Sequence, residues 1–193
     1  PASCGKTALL ADLILHTSLS QCQYIVLAGD GMKDVFIHNS KTVLHVKLDL
    51  LDTTLHRILE YQSLATTPDN ITIVLDNVTL SQELSEHLFH EATKLNIALI
   101  LSANYMMDLS SIQRSRIDLL FVFRITNDSH LQIIWSHFFK NWKSFKDFKE
   151  ALNGLTQNYG CLVYDKQRFG RPWQHRAKWW PGDFYSTSVS VDQ

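Results

Sequence analysis

Cysteine is scarce in this chain: Cys4, Cys22 and Cys161 are the only three, odd in number and widely spaced. That pattern excludes a disulfide framework, and a reducing compartment is the simpler setting. An excess of one charge sign is missing too. Eighteen Lys and Arg against nineteen Asp and Glu leave a net charge of −1, which excludes a uniformly basic nucleic-acid coat but not a local basic patch. No apolar run approaches the roughly 18 residues of a membrane span. The first residues carry no basic-then-apolar leader pattern. What is present is 45% hydrophobic residues over 193 positions, enough to bury a core and incompatible with a mainly disordered chain. The expectation is a soluble, intracellular globular domain, with or without a small appendage, and no membrane partner.

Apolar stretches alternate with helical periodicity along most of the chain. Helices are predicted over Ala8–Leu19, Leu51–Tyr61 and Ser81–Lys94, with Leu9, Leu10, Leu13 and Ile14, then Leu84, Leu88 and Phe89, facing inward. Strands are predicted at Tyr24–Ala28, Thr42–Val46, Ile71–Leu75, Ile97–Leu101, Leu119–Phe123 and, last, Cys161–Tyr164. Gly29-Asp30-Gly31 stops the first of these. Leu131–Leu152 reads as a long aromatic helix with a candidate break near Asn141. Strands buried on both faces and separated by helices imply an α/β fold with a mainly parallel sheet. Residues 1–165 read as one domain and 166–193 as a basic, aromatic appendage.

The chain opens Pro1-Ala2-Ser3-Cys4-Gly5-Lys6-Thr7, followed by Ala8 and an apolar-periodic helix. These are the last seven positions of G-x-x-x-x-G-K-[ST], the P-loop or Walker A turn. Gly5 lets backbone N–H groups turn toward a phosphate. Lys6 reaches the terminal phosphates, and Thr7 offers its hydroxyl to Mg²⁺. The helix start aims its positive end at the anion. The alternative is a plain loop-to-helix turn. Read as a phosphate site, the turn places ATP against Pro1–Ala8. The strand that precedes such a turn lies mid-sheet and is absent from the sequence, so the expectation is an N-terminally truncated domain that folds poorly alone.

A second site closes the apolar strand Ile71-Thr72-Ile73-Val74-Leu75-Asp76. A carboxylate there matches the Walker B aspartate that steadies Mg²⁺; the alternative is an ordinary strand with Asp76 capping the next segment. Asn77 stands next, where many ATPases carry an acid. A carboxamide hydrogen-bonds a water but cannot take its proton, so hydrolysis is expected to be slow or to draw on another acid such as Glu83.

Downstream, Leu99-Ile100-Leu101-Ser102-Ala103-Asn104-Tyr105 is an apolar strand ending in polar residues, followed by Leu109–Asp118 with Arg114 and Arg116, then Leu119–Arg124. Thr156–Asp165 forms a further strand segment. With the two Walker segments, this order resembles the viral genome-packaging ATPases of the FtsK–HerA superfamily, the poxvirus-type virion packaging ATPase first and the adenovirus branch second. The resemblance spans the phosphate turn to about Asp165. It implies a P-loop NTPase with a RecA-like, mainly parallel sheet flanked by helices, its first central strand missing here. It further implies ATP and Mg²⁺ as cofactors, double-stranded DNA as substrate, a homo-oligomeric ring (hexamer or pentamer), capsid or portal proteins as partners, and a location in the host nucleus, the cytoplasm or the virion. Lys6, Asp76, Asn77, Asn104 and Arg114 take the catalytic positions, and Thr7 and Asp76 the metal. Arg114 is the candidate for a charge-stabilising arginine reaching a neighbour's nucleotide, with Arg116 and Arg124 sharing the candidacy; the alternative pairs Arg114 with Asp118. Two departures stand out. Ala103, beside Asn104, occupies the usual place of a sensor glutamine, and Thr93 the place of an arginine. A catalytically weak, nucleotide-responsive DNA-binding protein and a P-loop ATPase with another cargo are the competing functions.

The appendage carries Lys166, Arg168, Arg171, Arg176 and Lys178 with no acid among them, interleaved with Phe169, Trp173, His175, Trp179 and Trp180. This mixture suits either DNA phosphates and bases or packing against a sheet or a neighbouring subunit, and the Ser/Thr-rich end beyond it is expected to fray. His87 and His90, three apart on a predicted helix, have no evident third metal ligand.

Overall fold

The computed structural model describes residues 5–16, 22–29, 42–157, 160–166, 173–177 and 186–189. The chain divides into two compact units, one running Lys6–Asn104 and the other comprising Pro1–Gly5 with Tyr105–Gln193.

The first unit is a four-stranded sheet, β1 (Tyr24–Ala28), β2 (Thr42–His45), β3 (Ile71–Asp76) and β4 (Ile97–Ser102), in the order β2-β1-β3-β4 with every pairing parallel. Period-2 alternation sends alternate side chains to opposite faces. Val26, Ala28, Ile73 and Leu75 meet Leu51, Leu55 and Leu59 of α2 (Leu51–Leu64) and Leu84 and Leu88 of α3 (Gln82–Glu91). Ile25, Leu27 and Val74 meet Leu10 and Ile14 of α1 (Lys6–His16) in a separate cluster. Each buried leucine contributes about 1.5–3 kcal/mol, and covering both faces is what lets β3 be buried at all six positions. Leu84 and Leu88 are fully buried as predicted, while Phe89 is only half-buried. α3 begins one residue after Ser81, whose side chain accepts from the Leu84 N–H; this cap satisfies a donor the helix cannot.

In the second unit, α4 (Ser111–Ser115) precedes β5 (Leu119–Val122) and two helices, α5 (Asp128–Phe138) and α6 (Phe145–Leu155). β6 (Cys161–Asp165), β7 (Trp173–Ala177) and β8 (Ser186–Val189) complete it. The candidate break near Asn141 is present, and three differences from the sequence expectation follow it. The span Leu131–Leu152 is two helices: α5 ends at Phe138, and Ser144 caps α6 by accepting from Asp147 N–H at 3.1 Å. The break, which includes Asn141, lets Phe139 turn inward to stack on Phe148 with ring centroids 5.1 Å apart. β6 is not the last strand, because β7 pairs with it. Ser186–Val189 is a strand rather than a frayed end, its backbone groups taken up by β7. Finally, the sheet β5-β6-β7-β8 is antiparallel throughout, so the parallel pattern belongs to β1–β4 alone.

Candidate functional site

The parallel register places the C-terminal ends of β1, β3 and β4 side by side: Ala28 lies opposite Leu75, and Asp76 opposite Ser102. Asp76 is the last residue of β3 and is buried. Its carboxylate Oδ2 accepts from the Thr7 hydroxyl at 2.7 Å. The start of α1 and the end of β3, whose Thr7 and Asp76 stand 69 residues apart in sequence, therefore meet in a direct contact. Lys6 and Thr7 open α1, and Gly5 before them adopts φ +93°, a left-handed conformation that glycine enters without steric cost. Ala8 is half-buried within the same first turn. Pro1, Ala2, Ser3 and Cys4, assigned to the phosphate turn, lie outside the described residues.

Three further side chains form a chain of hydrogen bonds. The Lys6 ammonium donates to Asn104 Oδ1, and Asn104 Nδ2 donates to Asn77 Oδ1. Thus Lys6, Asn104 and Asn77 share one network, and Thr7 and Asp76 share a direct contact. Asn77 is exposed, with φ +56°, and its backbone N–H donates to Ser102 O at 3.0 Å. Asparagine is one of the few residues that enters this region readily, which gives the position a backbone reason to carry it. Ser102 Oγ is buried with no hydrogen-bond partner among the described residues.

From sequence, Gly29 reads only as a strand stop. In the structure its φ is +119°, and a Cβ there would lie 2.3 Å from the Asp76 carbonyl oxygen. The end of β1 thus approaches the end of β3 too closely for a side chain. A glycine directly after an apolar strand is the available signal, but its partner cannot be read from it.

Arg114 belongs to the second unit. It sits on α4, which starts with a capping box between Ser110 and Gln113, and its Nη1 donates to the carbonyls of Met106 (3.3 Å) and Leu109. The sequence alternative, a pair with Asp118, is not formed; Asp118 instead lies 3.8 Å from the Lys166 ammonium. His137 has its pKa below the ordinary histidine value, through burial first and then the charges of Arg114 and Lys140. Among the described residues no group of three or more His, Cys, Asp and Glu gathers as a metal cage. His90 Nδ1 lies 2.5 Å from Glu91 Oε1. Of the basic and aromatic appendage residues, Arg168, Phe169, Arg171, Lys178, Trp179 and Trp180 lie outside the described residues.

No family model matches the chain. Two curated viral proteins of uncharacterised function are similar in sequence: 015R of Frog virus 3 (isolate Goorha), 23% identical over 103 residues, and 075L of Invertebrate iridescent virus 6, 24% identical over 117 residues. The matches cover 53% and 61% of this chain, and 32% and 43% of those proteins. The chain thus spans less than half the length of these relatives. Among solved structures, the genome packaging NTPase B204 of Sulfolobus turreted icosahedral virus 2 in complex with ATP-γS matches with a TM-score of 0.62 at 15% identity, covering 91% of this chain and 93% of that one. B204, the DNA-packaging ATPase of Sulfolobus turreted icosahedral virus, matches with a TM-score of 0.65 at 16% identity, covering 90% and 92%. The chain has the α/β fold of a P-loop packaging NTPase, with a parallel four-stranded sheet flanked by helices.

Proposed function

We propose that this chain is the ATPase core of a viral genome-packaging motor, binding ATP and Mg²⁺ and driving double-stranded DNA into capsids. The observation that carries the reading is the 2.7 Å contact from Thr7 Oγ1 to Asp76 Oδ2 at the start of α1 and the end of β3, with Lys6 alongside. The fold shared with B204, which has been solved with ATP-γS and AMPPCP, supports it. The donor set fits Mg²⁺: a hydroxyl and one carboxylate are hard oxygen ligands, and this ion characteristically takes one or two protein carboxylates and completes its shell with waters and phosphates. The buried Ser102 Oγ next to Asp76, without a partner among the described residues, is a further oxygen with capacity to spare.

When bound, Mg²⁺ supplies charge neutralisation along the β- and γ-phosphates. The residues do the rest. Lys6, which now donates to Asn104, would hold phosphate oxygens, and the Thr7 hydroxyl and the Asp76 carboxylate would hold the metal. Asn104, released from Lys6, and Asn77 are left to orient a water through their carboxamides. Neither can accept its proton. This last feature favours a second reading, a nucleotide-responsive DNA-binding protein with weak turnover.

The FtsK–HerA superfamily, in its poxvirus-type branch before its adenovirus branch, is the placement we favour. With it we propose a pentameric or hexameric ring, an arginine reaching across subunits with Arg114 first in line, capsid or portal partners, and work at the viral assembly site in nucleus, cytoplasm or virion. The test is ATP hydrolysis by the purified protein with and without duplex DNA. DNA-stimulated turnover that disappears in Lys6→Ala is the expected result. DNA binding without turnover selects the second reading, and turnover indifferent to DNA points to another cargo.

A further inference from the structure

A cavity of about 430 Å³ opens in the second unit, lined by Arg124, Ile125, Thr126, Lys149, Asn153 and Gln157. Its walls come from the segment just after β5 and from α6 with the turn beyond it. Lys149 and Asn153 stand four apart on α6, so the helix brings them to one side, and Gln157 follows in the turn beyond it. The described lining holds no acid. The Lys149 ammonium is already compensated by Asp128 at 2.7 Å. Arg124 is exposed and has no hydrogen-bond or ion-pair partner among the described residues. The cavity therefore presents one uncompensated guanidinium, a hydroxyl and two carboxamides.

This set of side chains is the one that contacts nucleic-acid backbones. Phosphate oxygens are held by Arg and Lys and by the neutral donors of Ser, Thr, Asn and Gln, and guanidinium matches phosphate with two parallel N–H bonds. Its layout also bears on the ligand. From Lys149 to Asn153 the helix rises about 6 Å, and Gln157 extends the lining beyond its end, together a stripe longer than one phosphate group can span. A polymer with a charge at each repeat uses such a stripe; a single small anion does not. We propose, resting on the packaging reading above, that the Arg124 cavity takes consecutive phosphates of a DNA strand, independent of base sequence and through residues other than Lys6, Thr7 and Asp76. Linked phosphates also occur in free polyphosphate and in a nucleotide's own tail, so the test separates these sources.

The test uses the full chain without added nucleotide, titrated into fluorescent duplexes of two unrelated sequences at several salt concentrations and followed by anisotropy. Arg124→Ala is expected to weaken binding several-fold, equally for both duplexes, and to flatten the slope of log affinity against log salt by about 0.9, the loss of one phosphate contact. Arg124→Lys is expected to recover most of the slope. Asn153→Asp, an exposed position where a carboxylate would face the same phosphates, is expected to weaken binding further without lowering the melting temperature. Unchanged affinity and slope in both Arg124→Ala and Asn153→Asp overturn the proposal. So does loss of tripolyphosphate binding in Arg124→Ala with DNA binding intact, which assigns the cavity to free polyphosphate. ATP binding is measured in parallel on Arg124→Ala and Lys6→Ala. Loss in Arg124→Ala with DNA binding intact assigns the cavity to a nucleotide's tail and also overturns the proposal. Loss confined to Lys6→Ala, alongside the expected flattening of the salt slope in Arg124→Ala, supports it and keeps the nucleotide site and the DNA contact apart.

Discussion

Asp76 is shaped from both sides. Thr7 meets its carboxylate, and Gly29 passes so close to its carbonyl that a methyl group has no room. Gly29→Ala therefore carries two costs, the left-handed backbone and the contact, together about 2 kcal/mol or more. Urea unfolding is expected to show that loss, and Mg²⁺-dependent nucleotide binding to weaken with it; an alanine variant with unchanged stability would contradict the close approach. Asn77 offers the opposite experiment. Aspartate has nearly the same shape, also tolerates a positive φ, and would still accept from Asn104 Nδ2, now as a charge-assisted bond. A positioned base contributes about 10²–10⁴-fold in rate. Asn77→Asp is accordingly expected to raise single-turnover ATP hydrolysis at least about tenfold. No increase would mean that the missing base is not what limits this site.

Among the elements, β3 and α2 explain why the acid at residue 76 is held where it is. β3 is central, paired on both sides and covered on both faces, so its end has little freedom. α2 is tied down by Gln62, fully buried, whose Nε2 donates to Asp69 O (2.7 Å) and Leu95 O (2.8 Å) while its Oε1 accepts from Asp69 N (3.1 Å). One side chain thereby anchors the loops leading into β3 and β4. Gln62→Leu keeps the bulk but strands an N–H and two carbonyls, each costing about 1–3 kcal/mol when buried. A loss of roughly 3 kcal/mol in chemical denaturation is expected, against less than about 1 kcal/mol for a merely space-filling glutamine. Leu84 and Leu88 were legible from sequence because helical periodicity is local. Gln62 was not, because its partners are backbone groups on other segments and a polar residue in an amphipathic helix reads as surface.

For the molecule as a whole, Cys161 supplies a global reporter. It is buried on β6, and burial pushes its thiol up to about pKa 12. The folded chain keeps this proton where the unfolded chain has released it, so the unfolded state binds fewer protons above the ordinary thiol range. Stability due to this group is complete below about pH 9 and lost toward pH 12, with a slope of up to about 1.4 kcal/mol per pH unit. Alkaline denaturation is expected to be shallower in Cys161→Ala over that interval. The same protonated thiol is expected to resist alkylation at neutral pH until the protein unfolds, which mass spectrometry after timed iodoacetamide exposure would detect.

Sequence by itself determined the Gly5-Lys6-Thr7 helix start, the acid-tipped strand and the α/β alternation. Gly5, Lys6 and Thr7 are neighbours along the chain, and the six residues Ile71–Asp76 announce a buried strand by composition alone. Tertiary structure decided the rest, because the remaining contacts join distant positions. Lys6 meets Asn104 across 98 residues, and Asn104 meets Asn77 across 27. Gly29 meets Asp76 only because β1 and β3 pair in one particular register. The antiparallel second sheet likewise depends on which strand edges meet, and period-2 alternation is the same for either direction of pairing.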